Sequence, residues 1–236
     1  MGANLFINGK TMIKKLPTRL LKKKVLACLK LPDFEAGMEQ ICRFPHRQVV
    51  NPLFSFLYSL DEQVKWRAIS AMGTVIDALA HQDLEGARIV MRRFIWNLND
   101  ESGGIGWGSP EAMGETMARN RRLAEDYVDI FISYIRQDGN YLELEDLQKG
   151  VIWGIGRLAH ARPELTREAA AHLLPYIQSQ DPVLQGLAVW AAGAFPTAAN
   201  RLAVKGFVQR SEKLRIYLNG SFIEYTVGQL AQKLTE

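Results

Sequence analysis

The residues of this sequence best suited to form a binding site are four tryptophans and four charged side chains beside them. They are Trp66, Trp107, Trp153 and Trp190, with Arg67, Glu111, Glu115 and Arg157. Two of the tryptophans stand seven residues before a glycine and the other two stand three before one. These offsets differ by four residues, about one helical turn, so all four indoles are expected on one helical face.

Such a tryptophan face has two interpretations, which the sequence leaves open. The indoles either pack between helices, or form an exposed aromatic strip on which flipped bases, bilins or peptides stack. The charged residues have two interpretations as well. Glu111, Glu115 and Arg119 follow one another at four-residue spacing, which suits a solvated helix face. The alternative is a polar groove that holds a ligand beside the tryptophans.

No catalytic, metal-binding or cofactor-binding motif is recognisable. The histidines are dispersed, and none stands at metal-ligand spacing from another histidine, a cysteine or an acid. No Gly-x-Ser-x-Gly elbow occurs, and no sequence motif marks Cys28 or Cys42 as a nucleophile, so we interpret them as reduced, buried thiols. We predict no catalytic residue, no metal and no cofactor, although a repeat protein can assemble a site from several repeats.

One loop is unusually rich in glycine, with four glycines between positions 103 and 108. It lacks lysine and arginine and does not end in the Gly-Lys-Ser/Thr of a phosphate-binding loop. It is either an inter-repeat turn that needs unusual dihedral angles or a loop that contacts a ligand or partner.

Internal repeats predict the elements that position these residues. Gly73, Gly114, Gly156 and Gly193 are spaced 41, 42 and 37 residues apart, and each has alanine or glycine two positions earlier. A period of about 40 residues is typical of two-helix repeats, and small residues in register let helices approach closely. A second apolar-periodic segment follows each first one, over 84–98, 122–136, 165–177 and 198–208.

The two ends of the chain differ from the repeats. Residues 18–31, 33–42 and 46–60 read as helices, and the last two as a degenerate first hairpin. Residues 213–217 and 221–227 alternate like strands around Asn219-Gly220, which predicts a β-hairpin, followed by a short helix over 229–234. We expect the hairpin to cover the last repeat. The predicted domains are 1–32, 33–210 and 211–236.

Segments 61–73 and 181–193, together with the period, resemble HEAT repeats, closest in style to phycobilisome-lyase-type and bacterial HEAT-like proteins. The resemblance spans about 33–210. It implies an all-α, α-α superhelix of four to five helical hairpins, with the β-hairpin and short helix appended. HEAT-like arrays serve as scaffolds, as chromophore-lyase subunits and, in one branch, as alkylpurine DNA glycosylases.

Charge bears on the choice among these functions. The net charge is +4, and six basic residues fall between positions 14 and 24, so the remainder is near neutral. The basic cluster is either a solvated cap or a contact for nucleic acid or another anionic partner. No apolar run is long enough to span a bilayer, and the N-terminus lacks the features of a signal peptide. We therefore expect a cytoplasmic protein that does not associate with a membrane.

The sequence therefore favours a non-enzymatic protein-interaction scaffold whose partner is another protein. The alternative is a nucleic-acid-binding or DNA-repair protein similar to HEAT-like alkylpurine DNA glycosylases, with Glu111 beside Trp107 as its acid. A third hypothesis is a chromophore-attachment subunit similar to the phycobilisome lyases.

Overall fold

The computed structural model describes residues 16–99 and 105–236. In chain order, the elements are α1 (Thr18–Leu29), α2 (Phe34–Cys42), α3 (His46–Phe56), α4 (Glu62–Gln82), α5 (Leu84–Leu98), α6 (Ser109–Arg119), α7 (Arg121–Ser133), α8 (Glu145–Ala161), α9 (Pro163–Thr166), α10 (Ala169–His172), α11 (Leu174–Ile177), α12 (Pro182–Ala192), α13 (Ala198–Val204), β1 (Lys213–Leu218), β2 (Ser221–Thr226) and α14 (Val227–Thr235). In these two ranges, no helix is both long and apolar enough to cross a membrane.

The helices form two layers of successive hairpins. Helices α4, α6, α8 and α12 pack side by side in that order, and we call them the A layer. Helices α5, α7, α9–α11 and α13 follow them in the chain as the second helices of the hairpins. The predicted all-α solenoid is confirmed.

Side-chain caps fix where two of the A-layer helices, α4 and α12, begin. The Asp61 carboxylate accepts a hydrogen bond from the Val64 amide and so caps α4. The Asp181 carboxylate accepts from the amides of Val183 and Leu184, and Pro182 occupies the first position of α12. These acids also lie at the positive ends of the helix dipoles, which stabilises them.

Three of the four glycines in register lie where neighbouring helices approach closely. A Cβ atom on Gly114 would lie 2.3 Å from the Gly154 Cα, and one on Gly156 would lie 2.5 Å from the Trp190 ring. Gly73 faces Glu115 and Arg119 of α6. Gly193 differs, because it is the C-cap of α12 and meets only backbone atoms of its own helix.

The second segment of the third repeat is the element that departs most from prediction. The expected single helix over 165–177 is divided into α9, α10 and α11. Pro175 contributes to the division, because its ring removes a backbone donor and clashes with the preceding turn of a continuing helix.

The predicted β-hairpin is present, and it reaches further than the last repeat. Strands β1 and β2 pair antiparallel from Lys213↔Thr226 to Leu218↔Ser221. Asn219 and Gly220 have φ of 50° and 85°, the left-handed values that a two-residue hairpin turn requires. A Cβ atom on Gly186 of α12 would meet Leu214, and one on Gly220 would meet the Phe34 ring of α2. The hairpin therefore crosses the A layer from α12 to α2.

Candidate functional site beneath the hairpin

Three of the predicted tryptophans form a continuous aromatic ladder across the A layer. The Trp66 and Trp153 ring centroids lie 4.8 Å apart, edge to face, and those of Trp153 and Trp190 lie 6.4 Å apart. The ring of His160 stacks on Trp190 with centroids 5.2 Å apart. Aromatic pairs at these distances stabilise the fold in addition to the contribution from burying their apolar surface. We call Trp66, Trp153 and Trp190 the aromatic ladder.

The prediction that all four tryptophans share a helical face is wrong for Trp107. Helix α6 begins at Ser109, so Trp107 lies in the preceding turn. Gly108 follows it with φ of 74°, a left-handed conformation that redirects the chain into the helix. The glycine-rich loop is described only from Ile105 onward, and its earlier glycines lie outside the described residues.

The hairpin adds two aromatic residues that sequence reasoning missed. Tyr217 stacks on Trp66 with ring centroids 5.2 Å apart and planes at 22°, and Phe222 meets the same indole edge-on at 6.0 Å. Burial raises the pKa of Tyr217 to about 12. The alternation of residues 213–217 indicated a strand with an apolar side, but it did not indicate which surface that side covers.

The ladder is partly accessible. Trp153 is 3% exposed and Trp190 is 9% exposed, as expected for packing residues. Trp66 and Trp107 are only half-buried. Trp153 and Trp190 thus pack between helices, whereas Trp66 and Trp107 pack against the edge of the core and keep part of their surface accessible.

Glu115 holds two arginines from different helices. Its buried carboxylate accepts hydrogen bonds from Nε of Arg119 at 2.6 Å and from Nε of Arg157 of α8 at 2.7 Å. The structure thus brings Glu115 and Arg157 together, as a polar groove requires.

Arg67 is placed differently from the other charged residues. It is 5% exposed, and its guanidinium donates to the carbonyl oxygens of Leu29 and Leu31. Those carbonyls end α1, where a cation is favoured by the helix dipole. This contact gives Arg67 a structural role in joining α1 to α4.

A cavity of about 360 Å³ lies between the hairpin and the starts of the A-layer helices. We call it the A-face cavity. Glu111 contributes a buried carboxylate 3.4 Å from Lys65 Nζ, and Gly150 leaves room for it, since a Cβ there would lie 2.8 Å from Glu111 Oε2. Its lining includes Trp66, Trp107, Glu111, Lys149, Trp153 and Phe222.

The charges around the A-face cavity are nearly balanced. Glu62, Glu111 and Asp146 are its acids, and Lys65, Lys149 and Arg215 are its bases. Arg215 of β1 pairs with Glu62 of α4 at 2.8 Å. A second cavity of about 330 Å³ lies by the hairpin tip and is lined by Glu115, Arg157 and Tyr217, among others.

Other features bear on the remaining sequence predictions. In the described part of the chain, no three His, Cys, Asp or Glu side chains are grouped as a metal site. Of the basic cluster, Lys14 and Lys15 lie outside the described residues, and Lys22, Lys23 and Lys24 are exposed on α1.

Comparison with known sequences gives limited information. No protein-family model matches the chain. An uncharacterised protein of Archaeoglobus fulgidus is 31% identical over 117 residues, which cover 50% of this chain and 55% of that protein. The match thus spans only about half the length of that relative.

Comparison with solved structures shows the fold. An engineered protein superposes with a TM-score of 0.52 at 15% identity, covering 91% of this chain and 94% of that one. A designed armadillo repeat protein in complex with the peptide (KR)4 gives 0.51 at 15% identity, covering 91% and 97%. The chain has a HEAT/armadillo-like α-solenoid fold, as the repeat pattern predicted.

Proposed function

We propose that this protein is an interaction module that binds an extended polypeptide segment of another protein on the A-layer face. The observation that carries the proposal is the position of β1, which lies in extended conformation against the aromatic ladder. A surface that accommodates one extended segment offers the spacing and the apolar contacts that another segment needs.

The composition of the face supports a polypeptide ligand. Aromatic side chains supply contact area at low entropic cost. Buried charges such as Glu111 orient the bound segment. A designed armadillo protein with this fold was solved with a peptide bound, which is consistent with peptide binding here. The balanced charge of the A-face cavity does not favour a phosphate backbone, which needs a basic surface.

The test is selection of peptides from a random display library against the full chain, followed by affinity measurement with two matched variants. Trp107→Ala removes a half-buried indole from the A-face cavity, and Trp96→Ala removes an exposed indole of α5, outside that cavity. We expect selected peptides to bind Trp107→Ala at least about tenfold more weakly, roughly 1.4 kcal/mol, and to bind Trp96→Ala unchanged.

Two results would contradict this function. One is a library that yields no peptide with measurable affinity. The other is a set of peptides whose affinity falls equally with both variants, since binding would then not involve the A-face cavity.

A further inference from the structure

Strand β1 contacts the A layer through side chains on both of its faces. Leu214 fills the space that Gly186 leaves on α12, and Arg215 pairs with Glu62 at 2.8 Å. Tyr217, two residues after the arginine, stacks on Trp66. The A layer thus contacts a basic residue and an aromatic residue that lie two positions apart in β1.

The hairpin depends on the A layer for its stability. A two-stranded sheet is marginally stable by itself in water. In β1, Leu214, Ile216 and Tyr217 are buried, whereas no residue of β2 is. Contacts beneath β1 therefore hold the hairpin in place, and a segment that offers the same contacts competes with it directly.

The fit of β1 to the ladder is also incomplete. Trp153 Nε1 is buried with no hydrogen-bond partner among the described residues. A buried polar group left unsatisfied costs about 1–3 kcal/mol. A segment that presents a carbonyl oxygen to this indole would remove a cost that β1 leaves in place.

Resting on the function proposed above, we propose that β1 is an internal ligand, and that the partner is an extended segment with arginine or lysine two residues before an aromatic residue. This segment replaces β1 on the A layer. Its basic residue pairs with Glu62, and its aromatic ring stacks on Trp66.

Competition with the tethered hairpin sets the expected affinity. A tethered segment has an effective concentration in the millimolar range, so an equivalent free peptide binds the native chain only weakly. Any substitution that loosens the hairpin raises the fraction of molecules in which β1 has left the A layer. The apparent affinity for a free peptide rises with that fraction.

The test uses charge reversal on both sides of the Glu62–Arg215 contact. The probes are fluorescent peptides with the sequence of β1, Lys-Leu-Arg-Ile-Tyr-Leu, and its counterpart with Glu in place of Arg. The proteins are the full native chain, Glu62→Arg, and the control Glu125→Arg on α7, where the replaced side chain is half exposed. Binding is followed by fluorescence anisotropy, and folding is checked by circular dichroism.

We expect Glu62→Arg to repel Arg215 and loosen the hairpin. It should bind the glutamate peptide at least tenfold more tightly than the native chain does, and should prefer it to the arginine peptide. The native chain and Glu125→Arg should prefer the arginine peptide. A third peptide with Ser in place of Tyr should bind every protein more weakly.

Hydrogen exchange distinguishes replacement from addition. Saturating arginine peptide should speed exchange of the amides of 213–226, and peptide binding with those amides unchanged would overturn replacement. If library peptides bind through Trp107 but neither charge preference appears, the selectivity proposed here is wrong and the function proposed above stands. If no peptide of any sequence binds, both fail.

Discussion

At the scale of single residues, Gly114 and Gly154 show what the small residues of the repeat do. The two glycines bring α6 and α8 to backbone contact, because a Cβ on Gly114 would lie 2.3 Å from the Gly154 Cα and 2.7 Å from its carbonyl oxygen. Both atoms belong to the backbone, so neither can rotate away. Glycine is needed here for space, in spite of its low helix propensity.

Gly114→Ala should therefore destabilise the protein by about 1–3 kcal/mol, although alanine usually stabilises a helix relative to glycine by roughly 1 kcal/mol. The matched control is Gly206→Ala, where an added Cβ meets nothing within 4 Å. Urea denaturation of both variants measures the difference. A Gly114→Ala protein as stable as Gly206→Ala would show that the helices separate without cost.

Glu115 allows a similar comparison for charge. Glu115→Gln weakens the hydrogen bonds from Arg119 and Arg157 to a buried acceptor, and should cost on the order of 2 kcal/mol. Glu125→Gln removes an exposed i,i+4 pair with Arg121 and should cost less than about 0.5 kcal/mol. Thermal denaturation at equal ionic strength compares the two, and similar losses would contradict the buried role of Glu115.

At the scale of elements, the sequence predicted more of the helices than of the site. The repeat segments 61–73 and 181–193 located the starts of α4 and α12, because Asp61 and Asp181 act within their own first turns. The turn at Asn219-Gly220 predicted the hairpin for the same local reason. The surface that the hairpin covers depends on contacts across the chain, such as Arg215 with Glu62, and local patterns do not encode them.

The misplaced Trp107 has a similar cause. Its offset from Gly114 matches that of Trp66 from Gly73, but the left-handed Gly108 is the N-cap of α6, so the helix starts two residues after Trp107. Glycine permits this conformation without requiring it, so the helix start was not readable from the spacing.

The capping acid of α12 makes the stability depend on pH. Burial opposes ionisation of Asp181, but hydrogen bonds from Lys149 and from the amides of Leu184 and Val183 outweigh it and hold its pKa at about 2. The unfolded value is near 4, so the ion pair stabilises the fold above about pH 4 and that stability is lost as pH falls toward 2.

Asp181→Asn keeps an N-cap acceptor and removes the ion pair with Lys149. At pH 6 it should be less stable than the native chain by roughly 1–2 kcal/mol, and the difference should shrink as pH falls from 4 to 2. Urea denaturation across this range measures it. A difference that does not change with pH would mean that the Asp181 charge is not involved.

At the scale of the whole molecule, the hairpin joins the two ends of a repeat array. Repeat proteins are stabilised by contacts between neighbours, so their parts tend to unfold separately. Here Arg215 contacts Glu62 across 153 residues, and the hairpin tip reaches Phe34. The hairpin therefore couples the first part of the array to the last.

Removal of residues 211–236 should weaken this coupling. Unfolding of the full chain should give coincident transitions by tryptophan fluorescence and far-ultraviolet circular dichroism, as a single cooperative unit does. The shortened chain should give separated transitions and a lower urea slope, because fewer repeats unfold together. Coincident transitions in both proteins would show that the A layer alone provides the cooperativity.

The hairpin also limits how many repeats the array can contain. A strand of six residues extends roughly 20 Å, about two spacings between packed helices. An additional repeat inserted between α4 and α12 would move Glu62 and Phe34 beyond the reach of Arg215 and the hairpin tip. Duplication of a repeat, the usual way in which solenoids lengthen, is thus incompatible with the present hairpin. The length of β1 and the number of repeats are therefore matched to one another.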